Sequence, residues 1–505
     1  MSSHSRRLTA GAAVAAGAVA ISLVPPDAPW SPAAGGPTAA HAGVLTSQAA
    51  GAPNIVMITA DDMTISDLAH MPRTRRLLVA PGTVVNGVAP TPICVPARAS
   101  MLTGQYTHNH RAYTIQGTGG GFKAFADRNT LPVWLRRAGY ATMFTGKYLN
   151  GYGRNAPRYV PPGWSSWAGS VDPSTYRYNG TTFNHNGRLV KPVGYSTDLI
   201  ARFSSRMITR HRDRSPGRPF FLWANYVAPH HGGGVESDDP QRMYPNNPGL
   251  WLKTPKPAAR HRNDFAGTPL HRAPEMLRDT TGSRWATNTP VTRARRRVLR
   301  ELHAQRLESL QAVDEAVART VGTLRREGIL DRTLIVFTSD NGYLVGHHNQ
   351  TGKLVPYHRS LRIPVVVRGP GIPRGARVAT PVTNPDLAVS IAAAGRAVPG
   401  RKVDGIDMFR RLASHPRSRR VIPIEAYPPT GGTTPIYTGI TYGAWTYVRH
   451  RNGFEELYDR RKSTAELANV ARSRPTMLAR LRDANRRYRS CAGTTCPKTL
   501  DPATL

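Results

Sequence analysis

The sequence predicts an α/β fold: a large central, mostly parallel sheet flanked by helices, followed by a smaller C-terminal subdomain with a short antiparallel sheet and a helix. Three observations carry this expectation. Short apolar runs rich in β-branched and aromatic residues alternate with stretches of helical periodicity from Asn54 onward. Two of these runs end in oxygen-bearing pairs, Asp61-Asp62 and Asp340-Asn341, and the carboxyl ends of strands are where open α/β sheets bind their ligands. After Gly400 the pattern changes to short strand-like runs separated by turn residues.

In chain order, residues 54–59 form the first buried strand, with Asp61-Asp62 just past its end. Residues 131–138 predict a short helix, and residues 141–144 a strand. Residues 220–227 predict a second central strand, stopping before His230-His231. Residues 232–290 are rich in Pro, Asn, Arg and Thr with little periodicity, the signature of a long excursion over the surface or across a site. The clearest helix spans residues 293–327, where Val298, Leu302, Leu310, Val313, Val317, Val321 and Leu324 keep three- and four-residue spacings and Gly328 ends it. A strand over residues 333–338 then leads into Asp340-Asn341. Residues 421–426, 436–442 and 445–449 predict short strands, Asn452-Gly453 a hairpin turn, and residues 475–488 a helix.

The 505 residues exceed what one small core organises, so a large domain plus a smaller one is expected. Hydrophobic content of 40%, with 46 glycines and 43 prolines, suits a loop-rich globular enzyme and excludes fibrous and disordered classes. Lys and Arg number 68 against 31 Asp and Glu, a net +37. That excess would attract anionic substrates, or it is simply diffuse in an Arg-rich composition. No zinc-finger, basic-zipper or RNA-recognition spacing is present, so nucleic acid is not an expected partner. Residues 1–42 resemble an export signal: Arg6-Arg7, an Ala-rich apolar stretch over residues 8–24, and Ala40-His41-Ala42 as a small-x-small cleavage site. Ser5-Arg6-Arg7-Leu8 loosely resembles a twin-arginine signal. The protein is therefore expected outside the cell without stable membrane association, an uncleaved N-terminal anchor being the alternative. Of three cysteines, Cys491 and Cys496 enclose a short loop and would pair in an oxidising compartment. Cys94 is left over.

Cys94 lies in Cys94-Val95-Pro96-Ala97-Arg98, followed by Ala99-Ser100-Met101-Leu102-Thr103-Gly104. Carboxylate and amide oxygens are ligands for hard divalent cations, so Asp61, Asp62, Asp340 and Asn341 suit Ca²⁺ or Mg²⁺. Thiol sulfur is a soft, poor addition to such a set, whereas an oxidised, oxygen-bearing residue 94 would fit it.

These motifs resemble the sulfatase family of the alkaline phosphatase superfamily. Residues 92–104 resemble its signature and residues 146–153, with Lys147-Tyr148-Leu149-Asn150, its second one. That second form, His108-Asn109-His110, Pro161-Pro162-Gly163-Trp164, Ala228-Pro229-His230 and Gly346-His347-His348 through Gly352-Lys353 resemble the N-acetylglucosamine-6-sulfatase branch. Leu457-Tyr458-Asp459 with Asn469-Val470-Ala471 resembles its C-terminal subdomain. The resemblance implies an alkaline-phosphatase-like catalytic domain over residues 52–398 and a subdomain over residues 399–505. It implies conversion of Cys94 to formylglycine (3-oxoalanine) by a formylglycine-generating enzyme, the aldehyde hydrate attacking sulfur. Arg98 would steady that residue, and Lys147 and Lys353 would hold sulfate oxygens. His230 would contact sulfate and protonate the leaving alcohol, with His231 as an alternative. Asp61, Asp62, Cys94, Asp340 and Asn341 would bind the cation, usually Ca²⁺. His348 resembles a substrate-contacting histidine of the glucosamine branch. Many sulfatases carry histidine two residues after the lysine, where this chain has Leu149; Asn150, His110 or His348 would have to substitute. The implied substrates are sulfate monoesters of sulfated sugars, N-acetylglucosamine-6-sulfate or glycosaminoglycan type, or aryl sulfates. A phosphonate monoester or phosphodiester hydrolase is the enzymatic alternative, and an inactive sulfated-glycan-binding protein the non-enzymatic one.

Overall fold

A computed structural model describes residues 51–240, 252–412, 419–461 and 466–500, so the segment 1–42 lies outside the described residues. Among the described residues, twelve strands precede residue 400: β1 (Asn54–Ala60), β2 (Thr83–Val88), β3 (Ala141–Gly146), β4 (Ser166–Ser170), β5 (Phe183–His185), β6 (Arg188–Val190), β7 (Phe220–Asn225), β8 (Thr333–Ser339), β9 (Leu344–Val345), β10 (Thr351–Gly352), β11 (Arg362–Arg368) and β12 (Ala376–Thr383). Ten form one sheet in the order β12-β2-β11-β8-β1-β7-β3-β4-β5-β6. Its centre, β8-β1-β7-β3-β4, is parallel, while β11, β5 and β6 pair antiparallel with their neighbours.

The central strands are buried along their whole length, which is why they appear in the sequence as unbroken apolar runs. Their alternate residues nevertheless feed two different cores. Ile55, Met57, Phe221, Trp223, Leu334 and Val336 join the core on one face. Val56, Ile58, Leu222, Ala224, Ile335 and Phe337 join the core on the other. Helices cover both faces. Cys94–Thr103, Leu131–Arg137 and Asn384–Ala394 contribute to the first core, and Ser196–Arg214 and Arg293–Arg326 to the second.

The expected helices at 131–138 and 293–327 and the strands of the central sheet are present with small shifts at their ends. The outer strands β2, β4, β5, β6, β11 and β12 and the helices Cys94–Thr103, Ser196–Arg214 and Asn384–Ala394 escaped the sequence pattern, only β12 and β6 lying at the sheet edges. Cys94–Thr103 is buried on all sides, so it has no polar face to mark a period. β12 at the sheet edge and β2 beside it are half-buried, and β12 carries a bulge that breaks alternation.

The small sheet is antiparallel: β13 (Val421–Ala426), β14 (Tyr437–Tyr442), β15 (Trp445–His450) and β16 (Glu455–Asp459), with Asn452-Gly453 turning β15 into β16. The helix Pro475–Tyr488 packs on it through Leu481, Ala484 and Tyr488, and Cys491 and Cys496 form a disulfide beside this core.

His108 joins this layer to the helix that starts at Cys94. Its Nδ1 lies 3.0 Å from Glu425 Oε1, and its Nε2 lies 3.2 Å from the Cys491 carbonyl. Burial opposes the imidazolium, but the Glu425 carboxylate outweighs it and lifts the pKa from 6.5 to about 9. The stability this pair contributes is therefore fully present below pH 6.5 and lost as pH rises through about 9. Over that window the parent should lose on the order of 3 kcal/mol more than His108→Gln, read from Tm against pH. Parallel slopes for the two proteins would contradict the assignment.

Candidate active site

Four adjacent parallel strands, β8, β1, β7 and β3, end at one edge of the sheet, and each delivers residues to the same place. Ala60 pairs with Ser339, so Asp61-Asp62 and Asp340-Asn341 emerge side by side. Gly146 pairs with Asn225, which places Lys147 against Asn225, its amide bonding the Asn225 carbonyl at 3.1 Å. A Cβ at Gly146 would lie 1.9 Å from that carbonyl oxygen, so this close approach needs glycine. His230 follows β7 by one short loop.

Cys94 is the first residue of the helix Cys94–Thr103. The helix N-terminus turns its partial positive charge toward the carboxylates. Arg98 is one turn further along, so both side chains share a face. Gly104 ends the helix in the left-handed region, φ 67°, where a side chain would also press on Val389 and Val403.

The side chains interlock. Arg98 Nε donates to Asp340 Oδ2 at 2.8 Å, and its Nη1 donates to the Lys147 carbonyl at 3.1 Å and to Asn225 Oδ1 at 3.0 Å. Cys94 Sγ lies 3.5 Å from Asp61 Oδ1 and 2.9 Å from Lys353 Nζ. Lys147 Nζ bonds Asp61, and Lys353 Nζ bonds Asp62. Asn341 Nδ2 donates to Asp62 Oδ1 at 2.7 Å, and the Asp62 amide donates to Asp340 Oδ1 at 3.1 Å. Asp62 itself holds φ at 68°, a conformation uncommon outside glycine and tolerated by aspartate, and these bonds keep it there. His230 Nδ1 donates to the His231 carbonyl at 2.8 Å. A carbonyl only accepts, so Nδ1 carries the proton and Nε2, 3.8 Å from Asp62 Oδ2, is the nitrogen free to exchange one.

Burial is the largest single influence at each shifted group; facing charges overturn it for Asp61, Asp62, Arg98 and the lysines, but not for Cys94 or His230. For Asp61, Lys147, His230 and Arg98 overcome burial and hold the carboxyl well below its usual range. Asp62 falls to about 2, with Lys353 and His230 opposing burial. Burial resists the charges of Lys147, Lys353 and Arg98, but the facing carboxylates raise all three above their ordinary values. Burial, reinforced by Asp61, pushes the Cys94 thiol up to about 12. Burial lowers His230 against the pull of Asp61 and Asp62.

Asp61, Asp62 and Asp340 bring one oxygen each within 4.8 Å of one another, all buried. Carboxylates so placed repel by about 4 kcal/mol per pair at an effective dielectric of about 20, and cations must offset it. Asp62 Oδ2 and Asn341 Oδ1 are buried without a hydrogen-bond partner. Unpartnered hard oxygens inside a buried acidic cluster fit a divalent cation such as Ca²⁺ or Mg²⁺. The sulfur of Cys94 fits that donor set poorly; oxygen at the same position would complete it.

The structure thus brings together Asp61, Asp62, Cys94, Arg98, Lys147, His230, Asp340, Asn341 and Lys353. His348 Nδ1 pairs with Thr280 Oγ1 at 2.9 Å, and its ring stacks on Tyr357 at 3.8 Å. Leu149 turns into the core at 2% exposure, and His110 is held by Ser100 Oγ and the Ala112 amide. Asn150 donates to the Tyr176 hydroxyl at 2.8 Å. His231 stacks on His230 at 4.1 Å.

Three contributors escaped the sequence. Asn225 sits at the end of an apolar run. Tyr176 lies far from any motif. Arg306, 1% exposed, binds the carbonyls of Asp62 at 2.6 Å and Pro229 at 3.3 Å. Arg306 did leave a signal, because it stands midway between Leu302 and Leu310 on the apolar stripe of the long helix, where a charge demands a buried partner. Residues 252–290 pack against the segment that follows Lys353, through Glu275 to Arg359 and Ser283 to Tyr357.

The sulfatase family model matches residues 53–396. An arylsulfatase of Volvox carteri is 30% identical over 471 residues, covering 83% of this chain and 71% of the relative. An N-acetylglucosamine-6-sulfatase of Homo sapiens is 29% identical over 510 residues, covering 89% and 87%. A putative extracellular sulfatase Sulf-1 homolog of Caenorhabditis elegans is 34% identical over 352 residues; this chain covers 66% of itself and 45% of that protein's length. A solved structure described as a complex with its substrate D-glucosamine-2-N,6-O-disulfate superposes with a TM-score of 0.71 at 19% identity, over 86% of this chain and 97% of that one. Likeness at that identity establishes the fold, and the matched family model, laid over β1 to the end of the helix Asn384–Ala394, establishes the chemistry. The chain belongs to the sulfatase family and is a sulfuric ester hydrolase.

Proposed function

We propose that this protein cleaves sulfate monoesters of sulfated sugars, of the N-acetylglucosamine-6-sulfate or glycosaminoglycan type, with aryl sulfates as simpler substrates. One observation carries the reading: residue 94, at a helix N-terminus, faces three buried carboxylates and the side chains of Arg98, Lys147 and Lys353. Asp61, Asp62, Asp340, Asn341 and an oxygen at position 94 would hold Ca²⁺ or Mg²⁺. If oxidised to formylglycine by a maturation enzyme, position 94 would supply an oxygen nucleophile for sulfur, and a cation held by these residues would supply Lewis acidity.

The remaining work belongs to the chain's own residues. Lys147 and Lys353 converge on Cys94 and would hold two sulfate oxygens, offsetting the charge that sulfate brings into a buried site. Arg98, locked by Asp340, Asn225 and the Lys147 carbonyl, fixes position 94 from one turn away. His230 presents Nε2 toward the centre and would deliver a proton to the departing alcohol oxygen. A buried thiol as resistant to ionisation as Cys94 is a poor nucleophile in unconverted form. The export segment at residues 1–42 supports secretion, and no helix among the described residues is long and apolar enough to cross a membrane.

Comparing kcat/KM on matched aryl sulfate and aryl phosphate esters tests the reading. Sulfate should be preferred by at least about 100-fold, and preference for phosphate would overturn it. His230 gives a sharper prediction. His230→Gln should cost about 10³-fold on a sugar 6-O-sulfate, whose alcohol needs a proton to leave, but below about 10-fold on an aryl sulfate with an acidic phenol. Equal losses on both would remove His230 as the acid.

A further inference from the structure

The Lys147 loop is held against residues 172–176 on one side of the site. Asn150 donates to the Tyr176 hydroxyl at 2.8 Å, the Asp172 carboxylate accepts from the Gly151 amide, and the Asp172 amide donates to the Tyr152 carbonyl at 3.0 Å. This clamp sets the Lys147 ammonium 4.8 Å from the centroid of the Tyr176 ring while the same ammonium bonds Asp61. The ring of His230 lies 4.7 Å from that of Tyr176, tilted by 35°. One phenol therefore touches both a cation expected on sulfate and the expected proton donor.

The motif around Lys147 explains why such a part is needed. Leu149 points into the core, so the loop supplies no side chain two residues on to stand beside the lysine. Lysine has four rotatable bonds and a single point charge, and one carboxylate fixes only its tip. An aromatic face beside the ammonium restricts that freedom, because the ring's negative face attracts the Lys147 cation and holds it where sulfate can meet it.

We propose that Tyr176, braced by Asn150, is the positioning residue that aims Lys147 and His230 at the sulfate group. This rests on the sulfatase reading above. The ring does the positioning and the hydroxyl anchors it. Losing the ring weakens the hold on sulfate, and losing only the hydroxyl does so far less.

The test uses the full-length mature enzyme with inorganic sulfate as competitive inhibitor and an aryl sulfate as substrate. Tyr176→Leu should raise the sulfate Ki by about 10-fold and lower kcat/KM by about 30-fold, with Tm within a few degrees of the parent. Tyr176→Phe should keep Ki within about threefold. Because Tyr176→Leu could unfold, phenylalanines of increasing ring fluorination at position 176 provide a series of near-constant shape, and Ki should rise with each fluorine. A Ki unaffected by fluorination, or losses for Tyr176→Phe equal to those for Tyr176→Leu, would overturn the proposal. A parent enzyme that fails to cleave aryl sulfate at all would instead overturn the functional reading on which it stands.

Discussion

Cys94→Ala should eliminate turnover of every sulfate ester, by at least about 10⁴-fold, while leaving Tm close to the parent value. Alanine keeps the helix start and fills a position that is 1% exposed without adding bulk, so the loss is chemical and not a failure to fold. Arg98, Lys147 and Lys353 cannot take over as nucleophiles, because Asp340, Asp61 and Asp62 hold them as cations. Mass spectrometry of the peptide containing residue 94 should show aldehyde in place of thiol in active material. Active enzyme with an unmodified thiol, or a Cys94→Ala protein with near-normal rates, would sink the mechanism.

Removing divalent cations with a chelator should reduce turnover by about 10³-fold and lower Tm by several degrees, with Ca²⁺ or Mg²⁺ restoring both. The stability change follows from linkage, because an ion bound only by the folded state stabilises it. The activity change follows from loss of the Lewis acidity that a cation held by the three carboxylates would supply. Asp62→Ala should respond differently. It should bind the cation weakly, show little change in Tm on chelation, and stay near the chelated parent's rate. Metal analysis of purified protein supplies the direct check. Full activity in metal-free protein would refute the ligand assignment.

Much of the site was legible because its chemistry is written in short, local patterns. Cys94 and Arg98 are one helical turn apart, and Asp61-Asp62 and Asp340-Asn341 follow strands whose apolar runs are plain to see. His230 and Lys353 were legible only through resemblance, since an isolated histidine or lysine has no periodic context. Asn225 and Tyr176 were not legible at all. Each acts through a contact across the sheet edge, Asn225 to Arg98 at a separation of 127 residues and Tyr176 to the Lys147 ammonium.

The sequence by itself determined the central strands, the long helix, the residue types of the acidic cluster and the family. Hydrophobic period and signature residues are local properties, and they survive in one dimension. Only the tertiary structure decided that β8, β1, β7 and β3 lie side by side, so that four loop ends scattered over some three hundred residues meet within hydrogen-bonding distance. It also decided that Leu149 packs into the core while Tyr176 stands beside Lys147. The physical reason is that strand order and loop packing are set by long-range burial on the two faces of the sheet, which no short stretch of chain encodes.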